Sequence, residues 1–237
     1  MRRRQSHEID ATIEVHSATR ARRRIRMPEQ RPLLFATKAE ATLRLAESLD
    51  AEFAALPLAS APEKFEDWRS KASAAEERDR VIVAPWLVTP EPPKCAELMN
   101  VDPAAWRERF ELPYLLWNFA LGAASRRVAD HGAIVGVVQS PAAIDAPGWT
   151  PELAISDGVL SLIRSLAAAE GARGVRCNLV TTPIGLIEGD LVAPAPPLAG
   201  FPGTIEKHVA GAVRTLLSPD AVGLTGRVLS ADGGRSL

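Results

Sequence analysis

Three carboxylates and one serine lie close together in this sequence, between positions 140 and 157. Asp145, Glu152 and Asp157 could supply an acid/base pair, which a non-redox hydratase or lyase needs, and Ser140 stands beside them. Acidic residues are also common at the start of a helix, where they interact favourably with the helix dipole and take no part in catalysis. The same residues therefore support a catalytic and a purely structural interpretation.

The segments around these residues follow a more specific order. GAIVGVVQS begins at Gly132, SDGVLSLIRSLA at Ser156, GVRCN at Gly174 and LTGRVLSADGG at Leu224. This order resembles the short-chain dehydrogenase/reductase family, in which a segment such as IVNISS precedes a Tyr-x-x-x-Lys helix, then IRVN and a closing TGxxLxVDGG. The resemblance covers residues 100–237 well and residues 32–100 poorly. It implies a Rossmann-like fold and a nicotinamide-dependent oxidoreductase.

The resemblance places unsuitable residues at the family's Tyr and Lys positions. When Ser156-Asp157-Gly158 takes the place of the family's Ser-Lys-Ala, the Lys position is Asp157 and the Tyr position is Leu153. Leu153 has no proton to transfer, although general acid/base catalysis needs a titratable group beside the substrate. Asp157 would put a negative charge where a positive one should stabilise a phenolate. The sequence has one tyrosine, Tyr114, which is remote from this helix.

The other two family positions are also altered. The Asn position falls on Pro113 when Trp106 is matched to the tryptophan at the family's helix start, and proline has no side-chain amide. Ser140 lies thirteen residues before Leu153 and is the only candidate to survive from the catalytic set. An ungapped match to IVNISS gives Gln139 at this position instead.

The cofactor turn lacks the glycines that a dinucleotide needs. The candidate first strand, residues 32–36, leads into a segment that starts at Thr37 and includes Ala41 and Leu43, where the family has TGxxxGxG. No glycine occurs between positions 31 and 61. Because only glycine lets backbone amides approach the pyrophosphate closely, we expect this chain to bind no cofactor. If it is an enzyme of this family after all, the expected cofactor is NAD or NADP. The family's NNAG loop falls on the apolar residues 84–87.

The spacing of these segments predicts a shortened fold. Ala84 follows Thr37 by 47 positions, whereas the family has about 75 residues here, enough for two strand-helix repeats. The charged segment 63–80, which carries a helical pattern, is then a remnant of the trimmed region. The sequence therefore predicts an α/β fold, a Rossmann-like doubly wound parallel sheet that is shortened by one strand-helix repeat.

The later elements have clear boundaries. A helix over 102–130 starts with Asp102 as N-cap and Pro103 at the first helical position, and Pro113 should bend or interrupt it. A helix over 151–169 stops at Gly171, and a last helix covers 204–217. Strands are predicted over residues 32–36, 81–84, 133–138, 175–180 and 227–230. The Pro- and Gly-rich loop 181–203 takes the place of the family's substrate lid.

Composition indicates a globular chain. The net charge is -1, 46% of residues are hydrophobic, and no apolar run approaches the length of a membrane span. Cys95 and Cys177 lack metal-like spacing, so we expect no metal site and a reducing, cytoplasmic location. Cys177 lies in a strand-like stretch and is predicted to be a small buried hydrophobe.

Residues 1–31 differ from the rest of the chain. They hold nine arginines against four acidic residues, with almost no apolar periodicity, which predicts a disordered leader. The alternatives are an extension upstream of a start at Met27, a basic tail that contacts nucleic acid or anionic lipid, and an Arg-rich transit peptide. Residues 32–237 are expected to form one domain. We expect no membrane or nucleic-acid partner for that domain.

Two functions from different classes follow from these observations. The first is a non-catalytic member of the family, acting in a homo-oligomer or as partner of an active paralogue. It is supported by the joint loss of Tyr, Lys, Asn and the glycine turn, with retention of the segments through which the family assembles. The two long predicted helices among these segments keep small residues that would permit close helix packing: Ala120, Gly122, Ala123, Ala124 and residues 167–169. The alternative is an NAD(P)-dependent oxidoreductase acting on a carbonyl or hydroxyl substrate, similar to 3-oxoacyl reductases.

Overall fold

A parallel sheet of six strands forms the centre of the described structure. The computed structural model describes residues 30–86, 97, 100–141, 147–186, 196–201 and 203–236. The strands are β1 (Leu33–Ala36), β2 (Glu52–Ala55), β3 (Arg78–Ala84), β4 (Val128–Gln139), β5 (Arg176–Thr182) and β6 (Val228–Ser230). They lie in the order β2-β1-β3-β4-β5-β6, and every neighbouring pair is parallel. This confirms the predicted Rossmann-like sheet.

Helices cover both faces of this sheet. They are α1 (Glu40–Ser48), α2 (Phe65–Ser73), α3 (Pro103–Trp106), α4 (Leu112–Arg127), α5 (Thr150–Glu170) and α6 (Ala210–Leu217). One buried cluster joins α2, α4 and α5 to one face of the sheet, and a second joins α1 and α6 to the other face. A single strand, β2, lies between β1 and β3 along the chain, so the fold is shortened by one repeat as the spacing predicted.

Buried apolar strands hold the two layers together. All four residues of β1 and the last four of β3 are buried, as expected for parallel strands that are covered on both faces. Cys177 on β5 is completely buried among apolar neighbours. Its predicted role as a small core hydrophobe is therefore confirmed, and burial raises the pKa of its thiol to about 12.

A π turn accommodates Pro113. Asp102 caps α3 by accepting a hydrogen bond from the Ala105 amide at 2.8 Å, as predicted. Residues 107–111 then form a π-helical turn, in which the Leu112 amide donates to the Arg107 carbonyl, and α4 follows directly. Proline cannot donate a backbone hydrogen bond in a helix. The wider turn before Pro113 therefore lets the helix continue without a sharp break.

The predicted end of this helix at residue 130 is wrong. Helix α4 ends at Arg127, and Val128 is already extended and paired with β3. Arg127 fixes this end because its guanidinium donates to the carbonyls of Glu76 and Ala72 at 2.7 and 2.9 Å. In β4, a Cβ on Gly132 would lie 2.7 Å from the Asp79 carbonyl oxygen, so only glycine fits this approach of β4 to β3.

Most of the small residues named for the interface do not face outward as that hypothesis required. Ala120, Ala123 and Ala124 are completely buried within the core of the subunit, so that they bring α4 close to its own sheet. Only Ala168 and Ala169 are exposed, while Gly122 is partly covered. The remaining helix predictions are confirmed: residues 151–169 lie within α5, and residues 204–217 form a capped π turn followed by α6.

Candidate functional site

Two cavities lie where β4 and α5 meet. Residues that are adjacent in the sequence line different cavities. The first cavity has a volume of about 380 Å³ and contains Ser140 and Leu153 in its lining. The second cavity has about 30 Å³ and contains Gln139 and Glu152. Both are at the carboxyl ends of strands, where ligands bind in open α/β sheets. Each pair of residues is thirteen positions apart, so the two registers considered for the catalytic serine lead to different cavities.

The second cavity holds an ion pair. Nη2 of Arg109 lies 2.7 Å from Oε1 and 2.9 Å from Oε2 of Glu152, and the Arg109 Nε lies 3.1 Å from Oε1. The side chain of Glu152 is 7% exposed and that of Arg109 is 18% exposed. Burial raises the pKa of Glu152, and the hydrogen bond from Arg109 opposes this shift. The fork geometry makes this the strongest type of charge-assisted hydrogen bond.

Apolar and amide side chains fill the space around this pair. Pro113, the expected Asn position, lines the second cavity together with Trp86 and Trp117. The Gln139 amide donates to the Ile184 carbonyl at 3.2 Å and thereby ties the end of β4 to the turn after β5. The remaining space is about that of one water molecule. The second cavity therefore leaves little room for a substrate beside Glu152.

Gln139 also depends on Gly185. A Cβ on Gly185 would lie 2.2 Å from the Gln139 Nε2 atom, and the backbone φ at Gly185 is +92°. The positive φ makes any other residue type strained at position 185, and an added Cβ would displace the Gln139 amide. The Gln139 amide is therefore packed into the turn after β5 rather than exposed to a ligand.

The first cavity brings together the residues that the sequence analysis selected. Ser140, Leu153 and Asp157 all line it, and Ser156 lies between the two α5 residues. The expected Tyr and Lys positions therefore carry an aliphatic side chain and an exposed carboxylate at one cavity wall. Asp145, the third carboxylate of the non-redox hypothesis, lies outside the described residues. So do most of the leader and part of the loop 181–203.

The only tyrosine does not replace the expected one. Tyr114 lies on α4 with its ring stacked on Phe110, at a centroid distance of 5.7 Å. Its ring packs over α5 at Gly158, where a Cβ would approach within 2.6 Å of the ring. The residues that line the two cavities do not include Tyr114.

The turn after β1 is closed by its own side chains. The Ala39 amide donates to the Thr42 hydroxyl at 3.1 Å, and this hydroxyl donates to the Thr37 carbonyl at 2.6 Å. No residue from 37 to 43 has a positive φ. Of the expected turn positions, Thr37 is buried, Ala41 is half-buried and Leu43 is exposed on α1. The turn therefore offers no glycine cradle, and the Ala39 amide that a phosphate could use already has a partner.

A tryptophan covers the neighbouring strand ends. Trp86 follows β3, is 4% exposed, and donates its indole N–H to the Val137 carbonyl at 2.7 Å. It packs in the cluster that joins α1 and α6 to the sheet. Trp149 is also buried, so both tryptophans pack in the core, although Trp86 additionally contacts the second cavity.

The sequence analysis missed the partner of Glu152. Glu152 was predicted to be either one of three carboxylates that could form an acid/base pair or an ordinary carboxylate at a helix start, and Arg109 was not among the predicted site residues. The available signal was the ungapped match to Gln139, because Glu152 follows Gln139 by the same thirteen residues that separate Ser140 from Leu153. Arg109 had no such signal, because its contact with Glu152 joins two separate helical segments.

Solved structures share this fold. A short-chain dehydrogenase/reductase from Serratia marcescens aligns with a TM-score of 0.65 at 17% identity, over 89% of this chain and 100% of that one. A blue fluorescent protein from a metagenomic library, in complex with NADPH, gives 0.59 at 18% over 86% and 87%. A dehydrogenase/reductase from Sinorhizobium meliloti 1021 gives 0.57 at 20% over 87% and 84%. No protein-family model and no curated protein matches this sequence.

Two further properties concern the described residues only. No helix among them is long and apolar enough to cross a bilayer. The same part of the chain has no group of three or more His, Cys, Asp and Glu side chains that could hold a metal ion.

Proposed function

We propose that residues 32–237 form a short-chain dehydrogenase/reductase domain that has lost nicotinamide-dependent redox catalysis and acts as a non-catalytic subunit of an oligomer. The partner is a second copy of this chain or an active paralogue. The shared fold and the order of sequence segments support the family. The Arg109–Glu152 pair carries the functional part of the proposal, because in the register given by Gln139 this ion pair takes the place of the catalytic tyrosine.

The ion pair is chemically unsuited to hydride transfer. In the register given by Gln139, the Tyr position is Glu152 and the Lys position is Ser156, so the set again lacks a phenol and an ammonium group. Glu152 accepts hydrogen bonds from both nitrogens of Arg109 that face it, and the cavity beside it is small, at about 30 Å³. A general acid must reach the substrate to transfer a proton. Both registers therefore lead to the same conclusion.

The cofactor crevice is equally unsuited to a dinucleotide. The pyrophosphate would need close approach to the turn after β1, where Thr42 now bonds the Ala39 amide and the Thr37 carbonyl. Trp86 covers the end of β3, where the nicotinamide half would pass. We therefore propose that the chain binds no NAD or NADP, and no catalytic step is assigned to either.

Exposed apolar residues supply surfaces for assembly. Strand β6 is at one edge of the sheet and is exposed at all three positions, with Val228 and Leu229 each 38% exposed. Leu115 on α4 is 41% exposed on the outer helix face. An unprotected apolar edge strand promotes pairing with another chain. These two surfaces, rather than the buried alanines, are the proposed contacts.

The alternative is an NAD(P)-dependent oxidoreductase acting on a carbonyl or hydroxyl. It is favoured by the solved structures with this fold, one of which is a complex with NADPH. It requires that the turn after β1 open to admit the pyrophosphate. Fold likeness alone does not determine chemistry, so the alternative is the second proposal.

Titration with NADH and NADPH separates the two proposals. A ligand that binds the folded state raises the melting temperature, and at 100 times its Kd the gain is about 2.7 kcal/mol. We expect no shift at about millimolar cofactor and no quenching of tryptophan fluorescence. A saturable shift, with turnover of a ketone or alcohol, would overturn the proposal in favour of the oxidoreductase.

Light scattering after size exclusion tests the oligomer. We expect a mass that is a multiple of the 25.4 kDa chain. Leu229→Lys and Leu115→Lys should reduce this mass, because a buried lysine at an apolar contact is costly. Leu43→Lys is the matched control, since Leu43 is 42% exposed on α1, away from both surfaces. A monomer at every concentration would exclude the homo-oligomer and leave only a paralogue as partner.

A further inference from the structure

Two adjacent cavities form a groove at the amino ends of the strands. Their volumes are about 410 and 350 Å³, and both are lined by Arg80, Leu217 and Pro219. Arg31, just before β1, lines one cavity, and Arg176, the first residue of β5, lines the other. The groove is therefore at the opposite end of the sheet from the first and second cavities. We call it the basic groove, and neither proposed assembly surface contributes to its lining.

Positive charge is concentrated in this groove. Four guanidinium groups and two carboxylates line it, from Arg31, Arg80, Arg176, Arg214, Asp50 and Asp79. The domain as a whole has the opposite balance, because residues 32–237 hold 19 of the 28 basic residues and 25 of the 29 acidic residues of the chain. The walls of a cleft focus the field of the charges that line it. The groove therefore attracts anions although the domain is acidic.

Main-chain carbonyls hold two of these guanidinium groups. Arg31 donates to the carbonyls of Asp50 and Ala51 at 3.0 and 3.4 Å, and Arg214 donates to the Ser48 carbonyl at 3.0 Å. These bonds offset the partial negative charge at the end of α1. Since a guanidinium has five N–H donors, both groups keep donors for an anion. Arg31 also pairs with Asp50, but the two side chains are 60% and 82% exposed, so the pair is solvated and an anion can compete with it.

The other two groove arginines that bond to the main chain also support the fold. Arg176 donates to the Leu216 carbonyl at 2.7 Å, which joins β5 to the end of α6. Arg80 donates to the Gln30 carbonyl at 2.7 Å and so holds the segment before β1. Substitution of either would disturb the fold. Arg31 and Arg214 are therefore the groove arginines at which binding is best tested.

The arginine-rich residues 1–31 join the domain at this groove. Gln30, whose carbonyl accepts the hydrogen bond from Arg80, is the first residue that the structure describes. Residues 1–30 hold eight arginines against four acidic residues. A small anion would fill the groove without contacting these arginines, whereas an extended polyanion can contact both. The position of the groove therefore favours a polyanion.

The lining of the groove favours the backbone of nucleic acid over its bases. No Phe, Tyr or Trp side chain of the described residues lines the groove, whereas proteins that bind single-stranded bases use aromatic stacking. Guanidinium groups match the oxygens of phosphate in a bidentate geometry. The phosphate backbone of a duplex forms a ridge that can enter a concave groove, whereas a membrane surface is flat and meets only the rim.

We propose that the basic groove and the arginines of residues 1–31 bind the phosphate backbone of double-stranded nucleic acid without regard to its base sequence. No nucleic-acid partner was expected for this domain from its sequence, in which the four groove arginines are far apart. Binding requires neither a nicotinamide cofactor nor an oligomer. Its failure therefore leaves the proposed function unchanged.

Fluorescence anisotropy of labelled DNA duplexes with the full chain tests the proposal. We expect two duplexes of unrelated sequence to bind with equal affinity. For roughly four phosphate contacts, the affinity should fall about a hundredfold between about 50 and 200 mM salt. No binding, a preference for the separated single strands, or a dependence on base sequence would overturn the proposal. Binding of vesicles that contain phosphatidylserine, without binding of the duplexes, would overturn nucleic acid as the partner.

Variants assign the binding to the groove. Combining Arg31→Gln with Arg214→Gln should weaken duplex binding about tenfold and lower the salt slope by about two, because two phosphate contacts are removed. Combining Arg126→Gln with Arg164→Gln is the matched control, since both arginines are exposed on helices of the other layer and the net charge changes equally. Circular dichroism and melting temperature must show that each protein is folded. Unchanged affinity in the folded groove variant would overturn the groove as the binding site, even if residues 1–31 still bind the duplex.

Discussion

Nη2 of Arg109 lies 2.7 and 2.9 Å from the two carboxylate oxygens of Glu152, and this bidentate contact joins the π turn before α4 to the first turn of α5. Both side chains are largely buried. The pair therefore fixes the position of the helical segment before α4 relative to α5 at the carboxyl end of the sheet. Its energetic contribution depends on desolvation as much as on attraction.

Removing one partner of this pair should destabilise the protein more than removing both. Glu152→Leu or Arg109→Met leaves a buried charge without its counterpart and should cost about 3–5 kcal/mol of unfolding free energy. The double variant should lie close to the wild type, because an apolar pair avoids the desolvation cost. Urea unfolding of the wild type, the two single variants and the double variant gives the coupling energy between Arg109 and Glu152.

The exposed pair of Lys71 and Asp67 on α2 is the control for this cycle. Its atoms are 2.7 Å apart, yet both side chains are more than two-thirds exposed. The same cycle on this pair should give about 0–1 kcal/mol, since surface ion pairs contribute little. Equal coupling energies in the two cycles would show that the Arg109–Glu152 pair is solvated rather than buried.

Glu152 should also give stability an unusual dependence on pH. Burial raises its pKa above the ordinary value of 4.5, so the folded state binds a proton more tightly than the unfolded state. The contribution is therefore fully present below the unfolded pKa and is lost as the pH rises through the folded pKa. Compared with Glu152→Gln, the wild type should lose stability as the pH increases from 4 towards neutrality. A difference that grows in the opposite direction would mean that Arg109 outweighs burial.

Glu206 should show the reverse behaviour. A hydrogen bond from the Arg44 Nε at 2.6 Å lowers the pKa of Glu206 to about 2 and joins α1 to the start of the last helical segment. Stability from this contact is present above the unfolded pKa and is lost as the pH falls from about 4.5 towards 2. In Glu206→Gln, the free energy of unfolding should therefore fall less steeply at acidic pH than in the wild type. Glu47→Gln, on the exposed face of α1, should leave this acidic pH dependence unchanged.

The sequence predicted five of the six strands because their signals are local, but it missed β2 (Glu52–Ala55), none of whose residues is fully buried. The apolar run of residues 133–138 and the caps at Asp102 and Gly171 each depend on neighbours along the chain, and all three agree with the structure. The shortened repeat was also predictable, since it follows from a count of positions. The end of α4 at Arg127 was not, because it depends on carbonyls of residues 72 and 76 that receive the Arg127 side chain.

The candidate site was predicted only in part, and the reason is register. Ser140, Leu153 and Asp157 do share a cavity, but the neighbouring residues Gln139 and Glu152 share the other one. A shift of one residue along a strand moves a side chain to the opposite face of the sheet. The contact of Arg109 with Glu152 joins residues 43 positions apart, which no local pattern indicates.

Cys177 should be chemically inert while the protein is folded. Its thiol is buried and its pKa is raised to about 12, so almost no thiolate forms near neutral pH. In a Cys95→Ser background, we expect a thiol reagent to label Cys177 only after denaturation. Adding Ser161→Cys on the exposed face of α5 gives a control thiol that should react in the native state. Rapid native labelling without this added thiol would show that β5 is accessible.

The indole of Trp86 should contribute both packing and a buried hydrogen bond at the end of the sheet. Trp86→Phe retains most of the packing but leaves the Val137 carbonyl without its donor, which should cost about 1–3 kcal/mol. Trp86→Ala also creates a cavity and should cost about 3–5 kcal/mol. Trp68→Phe is the matched control, because its indole donates to the Ala55 carbonyl at 2.9 Å in an exposed setting, where water can replace the bond. Chemical denaturation should therefore give a much smaller loss for Trp68→Phe than for Trp86→Phe. Similar losses of unfolding free energy in the two variants would mean that water reaches the Val137 carbonyl and that Trp86 does not exclude water from the cofactor crevice.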